Sequence, residues 1–402
     1  MLRFLTAGES HGQALVTIVD GVPAGLAIDF GAITTELRRR QGGYGRGRRM
    51  AIESDRAEAL SGVRHGVSTG APIALLIPNK DWENWQRTMH VGVEEPAGAT
   101  GADRPAVTRP RPGHADLAGA VKYGHADIRD VLERASARET AARVAAGALA
   151  RQLLCKVDTD IASHVFSIGS IALPDYLAVT FADVRAIRPD APLRCVDAQL
   201  ERLMTAEIDR AREAGDTVGG AFEVIAHNVP AGLGSYAQWD RKLDGRLAQA
   251  VMSIPAIKAV GIGRGPQAAA LPGSRLHDEI LPHAGLPRPS GIALDRPTNN
   301  AGGLEGGVTN GEELRITGYM KPIATLMKPL RSVDLATMTE SPATVERSDV
   351  CAVPAAAVVG EAMVALVVAD AVIEKFGGDS IDELVAGWRA FREKTAGRFA
   401  RR

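Results

Sequence analysis

The stretch "PAAAVVGEAMVALVVADAVIEKFG", Pro354 to Gly377, sets the first boundary on the fold of this chain. It is the most apolar helix candidate in the sequence, and it carries Glu361 and Asp370 within it. Those carboxylates interrupt it too much for a membrane span, so it reads as a helix buried in a protein core. The 402 residues, 45% of them hydrophobic, are ample for a core of that kind. Length alone permits about two or three domains, or one large mixed domain.

Charge narrows the function classes. Lys and Arg number 47 against 48 Asp and Glu, a net charge of -1. A dedicated nucleic-acid binder carries a basic excess, so none is expected here, although local clusters can still hold anions. Cys155, Cys195 and Cys351 are odd in number and far apart, with no disulfide framework and no CxxC zinc pattern. That usage predicts a reducing cytosol. The opening "MLRFLTAGESHGQAL" lacks the apolar core of a signal peptide, so a cytoplasmic protein without membrane association is expected.

Strand character is predicted in "QALVTIVDGVPAGLAID", "APIALLIPN" and "GGAFEVIAHNVP", and a short helix in "AITTELRRRQ" that ends at Gly42–Gly43. "SARETAARVAAGALARQLL" is the longest helical signal, rich in Ala, Leu and Arg, with Ser136 and Glu139 spaced as a capping box. "KLDGRLAQAVMSIPAIKAVGIGRG" reads as a helix running into a strand, and "NNAGGLEGGVTNGEELRITGYMKPI" as a glycine-rich loop feeding a strand. The segment 157–215 offers the least to read, and the basic end, roughly residues 392–402, is expected to fray. The mixture is α+β or α/β, with no repeat.

Four segments concentrate Gly, Arg, His and Ser. In "TAGESHGQAL" a glycine-flanked turn presents Ser10 and His11, either to a ligand or simply to solvent. "GESHG" meets the bare GxSxG pattern, but a nucleophile elbow needs a helix next, and "QALVTIVDG" is strand-like. In "ELRRRQGGYGRGRRM" the arginines Arg38, Arg39, Arg40, Arg46, Arg48 and Arg49 surround a glycine loop. Guanidinium forks suit phosphate and carboxylate; a solvated basic face is the plainer alternative. "RPRPGHADLAGAVKYGHADIRDVLERASARET" places His114 in a turn and Arg134 beside a helix start that favours an anion. Its two His–Asp pairs converge on a metal only if the chain folds back, and no metal is expected. Near the other end, Lys321, Lys328 and Arg347 supply cations, and Asp349 is either part of a helix cap with an ion pair or a carboxylate fitted for proton transfer. Together these groups would bind a small, multiply anionic ligand and move protons.

The ordered set "GESHG", "RRRQGGYGRGRRM", "RPGHAD", "ERASARETAARVAAGA", "GDTVGG", "NNAGGLEGG", "MKPI" and "RSDVCAVPAA" resembles chorismate synthase, from Arg3 to about Ser380. The resemblance implies one domain over 1–402 with an α+β fold, a β-α-β sandwich whose helices lie between two mostly antiparallel sheets. It implies conversion of 5-enolpyruvylshikimate 3-phosphate to chorismate and phosphate with reduced FMN, in a homotetramer. NADPH, or an external flavin reductase, would supply the reductant. By the same resemblance His11 protonates the leaving phosphate, His114 tunes the flavin, and Asp349 works near flavin N5 with Ser10 and Ser136 as relays. Arg40, Arg46, Arg134 and Arg347 would hold the substrate's anions, the first two also touching NADP. The flavin would lie against Arg134, Ala135, Ser136, Pro255, Ala256, Gly306, Lys321, Pro322, Ile323, Ala324, Thr325 and Arg347. Many relatives carry Ser where Ala135 and Ala324 stand here, which removes a hydroxyl at each place. An FMN- or NADPH-dependent oxidoreductase and a non-enzymatic anion or RNA binder are the competing readings.

Overall fold

The apolar run becomes the helix Val353–Phe376, with Pro354 in its first turn, where a missing N–H costs nothing. The computed structural model, which describes residues 1–47, 54–94, 96–282, 294–346 and 349–399, buries this helix on both sides. One side meets the helix Thr140–Leu154. A Cβ on Gly147 would lie 2.3 Å from the Cβ of Ala362, so glycine is what lets these two backbones touch. The other side meets a sheet: a Cβ on Gly360 would lie 2.6 Å from the Phe222 ring.

That sheet runs in the order Ile257–Ile262, Leu314–Met320, Gly220–His227, Asp160–Ile168, Ile171–Ala172, antiparallel throughout. A second antiparallel sheet joins Arg3–Ala7, Ala14–Asp20, Ile73–Pro78 and Glu58–Ala59. Its strands alternate buried and partly exposed residues, and Leu15, Val19, Ile73, Leu75 and Ile77 turn inward to the core that holds Thr140–Leu154. Helices Phe30–Gln41 and Leu243–Met252 complete the inner layer. The fold is α+β, a β-α-β sandwich, as the resemblance implied.

The segment 157–215 has a clear use. It supplies the strand Asp160–Ile168 and covers the outer face of its sheet. Val179 and Val184 close over Ala162 and Ile225, while Tyr176 packs with Phe166 and Ala221. Two local expectations need correction. Ser136 caps the N–H of Arg138 at 3.3 Å, not that of Glu139, because the first turn, Ala137–Glu139, is a tight 3-10 turn. Glu139 accepts from Thr6 at 2.7 Å and Arg143 at 2.9 Å, so no capping box forms. The helix Ile381–Phe399 also runs through most of the expected frayed end, anchored by buried Leu384 and Trp388; residues 400–402 lie outside the described set.

Glu361 sits fully buried in the central helix. Arg39 grips both its oxygens at 2.7 and 2.8 Å, Arg151 donates at 2.6 Å, Arg194 at 3.3 Å, and the Ser163 hydroxyl at 2.6 Å. Burial would raise this carboxyl, but the guanidinium groups of Arg39, Arg151 and Arg194 outweigh it and hold it well below the usual carboxylate range. A depressed folded-state value adds stability that is complete above the unfolded value near 4.5 and is lost as pH falls toward the folded one. Glu361→Gln should therefore cost about 3–5 kcal/mol in urea unfolding at neutral pH. It should also flatten the acid branch of the stability curve.

Candidate active site

The opening turn is built around Gly8, whose φ of +103° and 2.3 Å clearance from Ala14 O exclude a side chain. Ser10 N–H donates to the Glu133 carbonyl at 3.0 Å, and His11 N–H to Glu133 Oε2 at 2.9 Å. The His11 Nδ1 lies 2.9 Å from both Glu133 oxygens, and its ring stacks on Trp85 at 3.8 Å. Ser136 donates to Ser10 Oγ at 3.1 Å. Arg134 donates to the carbonyls of Thr6 at 2.9 Å and Gly8 at 3.2 Å. Ser10, His11, Arg134 and Ser136 thus share one place. The elbow reading ends here, since the chain continues into the strand Ala14–Asp20 and the His11 Nδ1 is turned to Glu133.

A cation cluster adjoins that turn. Asn79 donates to the carbonyls of Glu9 at 3.1 Å and Gly12 at 2.7 Å, and accepts from Arg138 Nε at 2.9 Å. Arg138 clasps both oxygens of Asp55 at 2.7 Å. Arg40, only 2% exposed, donates to Thr140 Oγ1 and to the carbonyl of Ala137, each at 2.8 Å. Its Nη1 lies 3.8 Å from Asp55 and makes no hydrogen bond among the described residues. Arg46 meets Asp349 at 2.6 Å, and Asp349 also accepts from Gly47 N–H at 2.6 Å. Burial first, then the neighbouring charges of Arg46 and Arg138, push Arg40 down to about 9 despite Asp55 and Asp349. Among the described residues Arg40 Nη1 keeps a donor with no acceptor, which suits an oxygen of a phosphate or carboxylate. Arg347, Arg48 and Arg49 lie outside the described residues.

The third group lies around His114. Its Nδ1 is 2.5 Å from Asp116 and 3.0 Å from Arg111 Nη2, and Arg111 reaches Thr325 Oγ1 at 2.9 Å. Burial would raise the Asp116 carboxyl, but hydrogen bonds from His114 and Arg111 hold it well below its ordinary value. Lys321 donates through Nζ to Gly113 O at 3.0 Å and through its backbone to Ala256 O at 3.0 Å; Ala256 sits at φ +68°. Thr217 donates to Ile323 O at 2.7 Å, Val218 N–H to Val350 O at 2.9 Å, and Val350 N–H to Gly45 O at 2.8 Å. The run Lys321–Thr325, including Pro322 and Ala324, is thereby tied to His114 on one side and toward Asp349 and Arg46 on the other.

Pro255 shares the Ala256 turn before the strand Ile257–Ile262, and Ala135 ends the helix Arg129–Arg134 with its N–H on Val131 O. Gly306 stands apart, in a hairpin beside Tyr236, with no hydrogen bond to these groups among the described residues. The second His–Asp pair is separate as well, for His125 meets Asp130 at 3.4 Å. Glu133, Trp85, Asp55, Asn79, Arg138 and Asp116 were not singled out from the sequence. Asp116 was quoted only as half of a His–Asp pair, and Asp55 stands in no motif.

Fold and site define an enzyme of the β-α-β sandwich kind with a cationic, imidazole-bearing site for a small polyanion. A family model described as Chorismate synthase matches residues 2–373. The chorismate synthase of Moorella thermoacetica is 56% identical over 397 residues, 98% of this chain and 100% of that one. That of Desulforudis audaxviator is 55% identical over 396 residues, 98% of each. A solved structure described as a crystal structure of chorismate synthase matches with a TM-score of 0.78 at 40% identity, over 98% of both chains. The chain belongs to the chorismate synthase family, and so is a carbon–oxygen lyase of the shikimate pathway.

A buried guanidinium with a spare donor is stabilised by an anion that accepts from it. Inorganic phosphate at about ten times its dissociation constant should raise stability by about 1.4 kcal/mol. Arg40→Met should abolish most of that gain in melts at constant ionic strength.

Proposed function

We propose that the chain converts 5-enolpyruvylshikimate 3-phosphate to chorismate and phosphate with reduced FMN and no net redox change. The observation that carries this reading is the buried Arg40, whose Nη1 has no hydrogen-bond acceptor among the described residues and which Arg46 and Arg138 crowd with like charge. Such a donor suits an oxygen of a phosphate or carboxylate, and the substrate brings one phosphate and two carboxylates. Arg40, Arg46, Arg134 and Arg347 hold those anions. His11, with Nδ1 on Glu133, presents Nε2 to the departing phosphate and delivers a proton to it. Cations around the developing dianion lower the barrier most where water is excluded. Asp349, paired with Arg46, receives the proton from the opposite end of the elimination, with Ser10 and Ser136 as a relay.

The residues present also suit FMN. Arg134, Ala135, Ser136, Pro255, Ala256, Pro322, Ile323, Ala324 and Thr325 would line it, and the family resemblance adds Gly306 and Arg347. Lys321 brings an ammonium whose pKa is lowered by burial and by Lys258. Reduced FMN held there would supply electron density to the substrate ring during the elimination, with no net redox change. His114, held by Asp116 and Arg111, sets the hydrogen bonding on that side. NADPH supplies the electrons, either at Arg40 and Arg46 or through a separate reductase. An assay with NADPH and FMN but no second protein separates the two. The enzyme works as a homotetramer in the cytoplasm, where its free cysteines, Cys155 exposed and Cys195 and Cys351 buried, stay reduced.

The decisive test is anaerobic. The protein, photoreduced FMN and the phosphorylated enolpyruvyl substrate should give chorismate absorbance and equimolar phosphate; no product would overturn the reading. His11→Ala should lower turnover by roughly two to four decades with the fold intact by circular dichroism. A near-normal steady-state rate would reject the role given to His11.

A further inference from the structure

Glu133 is 1% exposed, and both of its carboxylate oxygens are spent on a single residue. Oε2 accepts the His11 backbone N–H at 2.9 Å, and both oxygens lie 2.9 Å from His11 Nδ1. The backbone carbonyl of Glu133 adds a third grip, accepting from Ser10 N–H at 3.0 Å. A buried carboxylate is costly to leave without donors, so this one holds a proton on Nδ1 in every state of the ring. The imidazole plane is fixed too. Trp85 stacks on it at 3.8 Å and 18°, and Trp85 is itself held by its Nε1–H on Asp81 and by the Arg104 guanidinium 3.9 Å from its ring. Rotation of His11 about either side-chain bond would break the Glu133 contact or the stack.

We propose that Glu133 is a positioning residue that commits His11 to the Nδ1–H tautomer, so that Nε2 alone carries the exchangeable proton of the reaction. This rests on the role given to His11 above. In the step itself the Nε2–H bond breaks, the proton passes to an oxygen of the leaving phosphate, and the electron pair stays on Nε2. Nδ1 keeps its proton throughout, held on the Glu133 carboxyl group. The carboxylate thereby excludes the alternative neutral tautomer, in which Nδ1 would face Glu133 as a second acceptor and Nε2 would have no lone pair to take a proton back. Trp85 contributes the wall that keeps the ring edge, and not its face, toward the site.

The test combines spectroscopy with a double-mutant cycle. ¹⁵N NMR of histidine-labelled wild-type protein should show neutral His11 as the Nδ1–H tautomer, with Nε2 unprotonated; an Nε2–H tautomer overturns the proposal even if no variant folds. Glu133→Gln should lower kcat by about 10- to 100-fold with little change in KM, and Glu133→Asp should restore part of the loss. Placed in the His11→Ala background, Glu133→Gln should cost nothing further, because it acts only through the missing ring. An equal loss with and without His11 would mark a purely structural role and overturn the proposal. Failure of the His11 reading looks different: wild type and His11→Ala would turn over alike, while the tautomer would still follow Glu133.

Discussion

The carboxylate of Glu361 is the contact on which the sandwich turns. A helix that is apolar almost all round has no polar face to fix its rotation between two layers. A buried anion that must meet Arg39, Arg151, Arg194 and Ser163 at once allows only one rotation. Those partners come from the helix Phe30–Gln41, the helix Thr140–Leu154, the strand Asp160–Ile168 and the turn at Arg194. One side chain therefore locks four elements, and each of its oxygens is satisfied by more than one donor. Close approach at Gly147 and Gly360 then sets the layer spacing.

The same latch reaches the site through one peptide bond. Successive residues on a helix point about 100° apart, so the run Arg38–Arg39–Arg40 splits three ways. Arg38 is exposed, Arg39 holds Glu361, and Arg40 is buried toward the cation cluster. The helix ends at once after them, its last turn closed by Gly42 N–H on Arg38 O. From sequence the run reads as the basic end of a short helix, either gripping an anion or facing solvent, because composition cannot say which of three adjacent arginines faces which neighbour. The elements themselves were legible: the core helix, the Ala-rich helix and the long strands all declare themselves through apolar runs. Their assembly was not. Leu314–Met320 pairs with Gly220–His227 across nearly a hundred intervening residues, and no local rule specifies that register. The capping box at Ser136 failed for the same reason, since Thr6 and Arg143, distant and near, both compete for Glu139.

The candidate-site loops are rich in glycine yet closely held, because acids from other segments or neighbouring turns, most of them buried, anchor their cations and imidazoles. Glu133 holds His11, Asp116 holds His114, Asp55 holds Arg138, and Asp349 holds Arg46. This is what sequence reading missed, for it weighed the cations and histidines and left most of the acids uncounted. The acids act as local anchors, and geometry is fixed before any ligand arrives.

Arg40 is the exception, and its chemistry explains why arginine stands there. Among the described residues its nearest carboxylate oxygen, on Asp55, is 3.8 Å away, while Arg46 and Arg138 repel it. Even pushed down to about 9, a guanidinium stays almost fully charged at neutral pH. A lysine subjected to the same burial starts from a lower value and would fall close to neutrality, so a guanidinium is the group that keeps its charge there. The cost of burying it is met by the two neutral acceptors, Thr140 Oγ1 and Ala137 O, that hold the fork in place without cancelling it.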